Sequence, residues 1–477
     1  MKIKGAIIFS IASIFSHLSH AQQSPVEACH IEGIKAKVQC GSLTVPQDYA
    51  QKDGETLEIN FAVLPAIDNS QYNEPLMFLA GGPGQAAAEL SPMINRVFYD
   101  IRKTRDIILV DQRGTGRSSP LACLENIELD PYILIPENLT TTEIQQCLDA
   151  LPSDLSHYTS ENAIRDFDAV RAALGHEKVH IYGGSYGTRA ALVYMRLFPE
   201  SLQTVTLDSV GPVEVPIGLF GQSASRSFDL LLKHCKEDAA CNNAFPNLRG
   251  DFDAVVAALK ESPIEVTIPH PTLGTPTRFV ISKSRLISTV RLQLYSTRGR
   301  YMVPLIISQA AQGNYLPLAG LVAQSAEGLG MYVGLTFNIV CSEDLPRVTE
   351  QMKTTDADNT FGQDDSHSAF NVACSVWPKY QVDEAFYEPV TANIPTLILS
   401  GNLDPVTPPS NGDFPAKTLP NNKHIVLEHA SHTVAMSTCA SDLVAQFVKE
   451  QDPKALDESC LALIEKPSFM TSLNSDL

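Results

Sequence analysis

The stretch Gly183-Gly184-Ser185-Tyr186-Gly187 constrains this chain more than any other feature. The pattern G-x-S-x-G arises by chance in a sequence with 27 glycines, so its surroundings decide its meaning. Lys178-Val179-His180-Ile181-Tyr182 precedes it, short and β-rich, and predicts a buried strand. Thr188 to Phe198 follows, rich in Ala, Leu, Val and Met and free of Gly and Pro, and predicts a helix. A strand that turns sharply into a helix holds the serine in a strained elbow with its hydroxyl projecting beyond the sheet. Glycines flank it because a Cβ would clash in so tight a turn.

Other short apolar runs share this architecture. Leu57–Leu64, Leu76–Leu79, Ile107–Val110, Val179–Tyr182, Thr204–Leu207, Thr396–Leu399 and Ile425–Leu427 read as strands. Ile107–Val110 and Thr396–Leu399 are almost continuously apolar, as parallel strands covered on both faces are. Thr159-Ser160-Glu161 reads as a helix start; Ala163, Phe167, Val170 and Leu174 recur at helical spacing, and Gly175 stops the helix. Alternation of this kind predicts an α/β fold, a mostly parallel sheet flanked by helices. The pattern breaks between about Gly211 and Asn393, where helical stretches (Ser225–Ala240, Phe252–Glu261, Lys283–Ala311) surround a Pro-rich β-like segment, Ile264–Ile281. We therefore expect a core in two parts, 22–210 and 394–466. A large, mainly helical cap inserted at 211–393 would lie over the sheet edge where open α/β sheets bind ligands. A loose tail over 467–477 completes the expected layout.

The amino end reads as a signal peptide over residues 1–21: basic Met1-Lys2-Ile3-Lys4, a short apolar run to Leu18, then Ser19-His20-Ala21 with small residues at −3 and −1. The run is too short and broken for a membrane span, so no membrane anchor is expected. Export, to the periplasm or the medium, suits ten cysteines. Nearest-neighbour pairing gives Cys29–Cys40, Cys123–Cys147, Cys235–Cys241, Cys341–Cys374 and Cys439–Cys460, one connectivity among the many that sequence permits. No C-x-x-C or H-E-x-x-H occurs, so no metal and no cofactor is expected. The formal net charge of −19 becomes −21 without Lys2 and Lys4, which argues against nucleic acid and tolerates or attracts a substrate ammonium group.

A serine near neutral pH needs a base, and the base an orienting acid. An elbow serine takes both from later in the chain. Asp404 follows the strand Thr396–Leu399 in a Gly- and Pro-marked loop, and Thr407 is placed to hydrogen-bond its carboxylate. Asp208, after an earlier strand, is the rival acid. His424 and His429 bracket the strand Ile425–Leu427, and His432 lies beyond it, where an imidazole can swing over the sheet edge. His432 is the expected base and His429 its runner-up. The oxyanion hole is expected from the backbone N–H of Tyr186 and that of Gly82, with Gly81 second, in Gly81-Gly82-Pro83-Gly84 after the strand Leu76–Leu79. Asp111-Gln112-Arg113-Gly114-Thr115-Gly116-Arg117-Ser118 fits no phosphate-loop pattern and reads as a bonded loop that braces the site.

Together these pieces resemble the prolyl and tripeptidyl aminopeptidases, a family of α/β-hydrolases. The resemblance runs from about residue 35 to 460, and the Asp-Gln-Arg-Gly run is its most specific part. Ala80 stands where prolyl aminopeptidases often carry His, which favours the exported, tripeptidyl-type branch. The resemblance implies removal of residues from peptides with a free N-terminus, with Ser185 as nucleophile, His432 as base and Asp404 as acid. It also implies that the cap supplies carboxylates for the substrate ammonium group, for which Glu343 and Asp344 are the candidates. A carboxylic ester hydrolase on the same fold is the alternative, because the same triad cleaves esters.

Overall fold

The computed structural model describes residues 26–474 apart from 52, 71–72, 124–138, 270–273, 327–329, 364–367 and 467; the expected signal peptide lies outside the described residues. Eleven strands are seen among the described residues: β1 (Val26–Cys29), β2 (Val38–Pro46), β3 (Thr56–Leu64), β4 (Leu76–Leu79), β5 (Ile107–Val110), β6 (Val179–Gly184), β7 (Leu202–Asp208), β8 (Ile264–Pro269), β9 (Pro276–Ile281), β10 (Thr396–Gly401) and β11 (Asn422–Leu427). Nine form one sheet in the order β1-β2-β3-β5-β4-β6-β7-β10-β11. From β5 to β11 neighbours are parallel, while β1, β2 and β3 join antiparallel. The seven expected strands are all present. The sequence reading missed β1 and β2, because β2 alternates weakly and is half exposed, with Cys40 and Gly41 at its centre.

Every residue of β4, β5, β6 and β10 is buried, as strands covered on both faces require. The helix Ser160–Ala173 starts where expected: the Thr159 side chain accepts the N–H of Asn162 at 3.2 Å. Such a cap contributes about 1 kcal/mol. Ala163, Phe167 and Val170 on its inner face are buried.

Among the described residues between β7 and β10, the regular elements are helices apart from the antiparallel pair β8–β9. The first half of this segment builds a separate core around Phe228, Phe252, Phe279, Leu294 and Tyr301. Two later stretches, 333–341 and 374–377, leave that core. Leu335, Phe337, Cys341, Cys374 and Trp377 pack into the main cluster beside β4, β6 and the helix Tyr186–Leu197. The expected helical stretch Lys283–Ala311 forms two helices, Lys283–Gln293 and Thr297–Ala311, broken where Ser296 caps the second. The expected loose tail is docked at Phe469, which is buried against the ring of Tyr301 at 4.6 Å between centroids.

All ten cysteines are paired, in the five local bridges 29–40, 123–147, 235–241, 341–374 and 439–460. Such pairing belongs to oxidising, extracytoplasmic surroundings. No helix among the described residues is long and apolar enough to cross a membrane.

Candidate active site

Ser185 sits between β6 and the helix Tyr186–Leu197 with φ +57° and ψ −125°, a backbone conformation costly for a residue with a side chain. Local packing enforces it. A Cβ at Gly183 would collide with the carbonyl of Gly187, and one at Gly187 with the carbonyl of Leu79. The elbow thus closes tightly on itself and on β4, and Ser185 remains only partly buried. Gly81 lies against it: a Cβ there would come within 3.4 Å of the Ser185 Cβ. Tyr186 is the first helical residue, so its N–H is one of those a helix start leaves without an intrahelical partner.

Asp404 and His432 meet in two loops at the ends of β10 and β11. The His432 Nδ1–H donates to Asp404 Oδ2 at 2.8 Å. Asp404 is fully buried. Its Oδ1 accepts the N–H groups of Val406 and Thr407, both at 2.9 Å, and its Oδ2 also accepts the Thr407 hydroxyl at 2.7 Å. Burial works against the Asp404 carboxylate, but His432 and these donors outweigh it and hold the pKa below the usual value. Burial likewise works against the imidazolium of His432. The charge and hydrogen bond of Asp404, with a smaller pull from Asp208, outweigh it and raise the pKa above 6.5.

The loop carrying His432 is tied down on two sides. On the sheet side, Asp208 at the end of β7 accepts the N–H groups of Val434 (2.8 Å) and Ala435 (2.9 Å) and the Tyr182 hydroxyl (2.6 Å). The Asp208 carbonyl accepts the N–H of Ser185 at 3.0 Å, so one residue holds both the elbow and the histidine loop. The rival acid is therefore a backbone anchor. On the other side the break between the helices Lys283–Gln293 and Thr297–Ala311 frees two carbonyls. Leu294 accepts the Ser431 hydroxyl at 2.5 Å and Tyr295 accepts the N–H of His432 at 3.1 Å. The Tyr295 ring also meets the imidazole edge to face, 5.0 Å between centroids. His424 bonds Ser400 at 2.9 Å, and the buried Nδ1 of His429 has no partner, so neither is joined to the acid.

The run after β5 braces this assembly. Arg113, fully buried, pairs with both oxygens of Asp166 at 2.7 and 2.8 Å. Asp111 accepts the N–H groups of Ala88 (2.8 Å) and Arg117 (3.3 Å), while burial pushes its pKa up to about 6.

Glu343 and Asp344, the candidates for the substrate ammonium group, lie in the turn Val340–Asp344. Both are buried and committed within the protein. Asp344 pairs with Arg189 at 2.8 and 3.0 Å and accepts the N–H of Ile217 at 2.9 Å. Glu343 accepts the N–H and the hydroxyl of Ser160, and burial pushes its pKa up to about 7. Ser160 and Gln112, which touch the Tyr186 hydroxyl, went unrecognised in the sequence. The only signals were a second hydroxyl residue at a helix start and a place inside the Asp-Gln-Arg-Gly run.

Comparison with known proteins agrees with the fold. The chain is 25% identical over 466 residues to the tripeptidyl aminopeptidase of Streptomyces coelicolor, covering 89% of this chain and 83% of the relative. It is 24% identical over 448 residues to the serine protease Hip1 of Mycobacterium tuberculosis, covering 86% and 84%. It is 32% identical over 177 residues to the proline iminopeptidase of Aeromonas sobria, covering 36% and 37%. The family described as the alpha/beta hydrolase fold matches residues 74–437, a span that holds the elbow, Asp404 and His432. This chain belongs to the α/β-hydrolase fold family.

Proposed function

We propose that this protein is an exported serine aminopeptidase, periplasmic or secreted, that releases residues or short peptides from free N-termini through an acyl-enzyme on Ser185. The observation that carries the reading is the Asp404–His432 pair, anchored through Asp208 to the same strand end that holds Ser185. With Nδ1 donating to Asp404, Nε2 is left to accept the Ser185 proton as Oγ attacks the scissile carbonyl. The N–H groups of Tyr186 and Gly82 take the oxyanion. His432 then returns the proton to the leaving amine, and water repeats the sequence on the acyl-enzyme. The names of the relatives support a peptide substrate. A net charge of −19 favours approach of a peptide ammonium group.

The test is mass spectrometry of products from a mixed peptide library, beside Ser185→Ala. Products trimmed from the free amino end, absent with the variant, support the reading. Equal turnover of blocked peptides or simple esters would make the enzyme an ester hydrolase instead.

A further inference from the structure

Two residues on one face of the helix Tyr186–Leu197 reach the same turn of chain. Tyr186 and Arg189 stand three apart, hence side by side on the helix surface. They connect to neighbouring carboxylates, Glu343 and Asp344, in the turn Val340–Asp344. Arg189 pairs with Asp344 directly. Tyr186 reaches Glu343 through Ser160, and for the ionised carboxylate proton counting fixes the direction of each bond. The Ser160 N–H donates to Glu343 Oε1 at 2.7 Å, and its hydroxyl donates to Oε2 at 2.6 Å. Ser160 Oγ is left only as an acceptor, so the Tyr186 hydroxyl donates to it at 2.7 Å. Gln112 Nε2–H donates to the Tyr186 oxygen at 3.3 Å. With Glu343 ionised, above about pH 7, the chain runs one way, from Gln112 through Tyr186 and Ser160 to Glu343, and ends on a group that accepts twice and donates nothing. All four residues are buried. The turn itself is fixed by the Cys341–Cys374 bridge and by the Tyr387 hydroxyl, which donates to the Glu343 carbonyl at 2.7 Å.

We propose that Glu343 is a positioning residue for acyl transfer: acting through Ser160 and Tyr186, it fixes the backbone N–H of Tyr186 where the oxyanion forms. The inference rests on the serine-hydrolase reading of Ser185. It gives Glu343 a task other than holding the substrate ammonium group. An amide at this place offers one acceptor where two are needed. In Glu343→Gln the amide N–H turns toward Ser160, Ser160 turns its proton to Tyr186, and the Tyr186 hydroxyl loses its acceptor.

The experiment measures the rate and final stoichiometry of fluorophosphonate labelling at Ser185, with kcat and KM for an N-blocked p-nitrophenyl ester and for a free-amine peptide. Glu343→Gln, Tyr186→Phe and the double variant are compared with the wild type. The final stoichiometry counts folded protein, so the rate is read on folded molecules alone. Tyr186→Phe keeps the ring and carries the test if Glu343→Gln does not fold. We expect labelling and kcat to fall about tenfold or more on both substrates with KM held, since small misplacements of reacting groups cost up to about a hundredfold. The double variant should be no slower than the slower single one. Unchanged labelling in both single variants, or losses that multiply in the double, overturns the proposal. A loss confined to free-amine substrates also overturns it and returns Glu343 to ammonium recognition. Absence of labelling in the wild type removes Ser185 as nucleophile, and this proposal with it.

Discussion

Replacing Asp404 with asparagine tests the whole site, because the structure dictates which way the amide must face. Asp404 Oδ1 accepts two backbone N–H groups, from Val406 and Thr407. An asparagine must place its carbonyl oxygen there, since an NH2 group would confront two donors inside a fully buried site. The amide nitrogen then takes the place of Oδ2, between the Thr407 hydroxyl and His432 Nδ1. It donates, so Nδ1 must accept, and the ring proton moves to Nε2. That is the nitrogen that has to take the proton of Ser185. The geometry survives in the wrong tautomer. For such a triad exchange kcat falls about 10⁴-fold, a barrier increase of about 5.5 kcal/mol. The assay is steady-state hydrolysis of a tripeptide anilide, with thermal unfolding to confirm a folded variant. A kcat within tenfold of the wild type would refute the reasoning, and so would Asp208→Asn producing the larger catalytic loss in folded protein.

Thr407→Val removes one donor from Asp404 but leaves its backbone donors and His432 in place. Hydrogen bonds to charged groups are worth about 1.5–3 kcal/mol, so kcat/KM should fall roughly tenfold or more, with Tm changed little. The pH profile follows from the raised pKa of His432: the base must be neutral, so kcat/KM should decline as pH falls through a value above 6.5. The same shift makes the stabilising contribution of protonated His432 full below about 6.5, its unfolded value. That contribution is lost as pH rises through the folded pKa, so activity and stability change in opposite senses across this window. Asp404, held below its usual value, stays ionised throughout. Gly187→Ala drives a Cβ into the Leu79 carbonyl; denaturant unfolding should show a loss of at least about 1–3 kcal/mol, the usual cost of overpacking.

Much of the site was legible because its chemistry is local in sequence. The elbow announces itself through glycines that no other residue can replace, and chain order after it leaves few places for an acid and a base. Asp208 and Asp404 both follow strands, and only three-dimensional contact separates the carboxylate that holds an imidazole from the one that holds a backbone. Glu343 was visible as an acid beside a cysteine, yet its partner Ser160 lies 183 positions away, and no periodicity links them. The break at Leu294–Ser296 hid for a similar reason. Its one local mark is Ser296, which caps the second helix, and the carbonyls left free there are taken up by the distant histidine loop.

That break changes how the segment between β7 and β10 should be understood. A lid that only covered the sheet would touch the catalytic loops by packing, and could shift without altering the chemistry. Here the segment bonds directly to both. Arg226 donates to the Asn402 carbonyl at 2.7 Å, and Ser227 donates to the Leu403 carbonyl at 2.6 Å, one residue before the acid. Tyr295 accepts from the His432 backbone and meets its ring edge to face. The buried Arg300 fixes Ser227 in turn, at 2.8 Å to its hydroxyl and 2.7 Å to its carbonyl. Any displacement of these helices by a bound peptide must strain or release the bonds that set the Asp404–His432 geometry. The helices between β7 and β10 and the Asp404–His432 pair are therefore coupled through the carbonyls of Leu403, Leu294 and Tyr295.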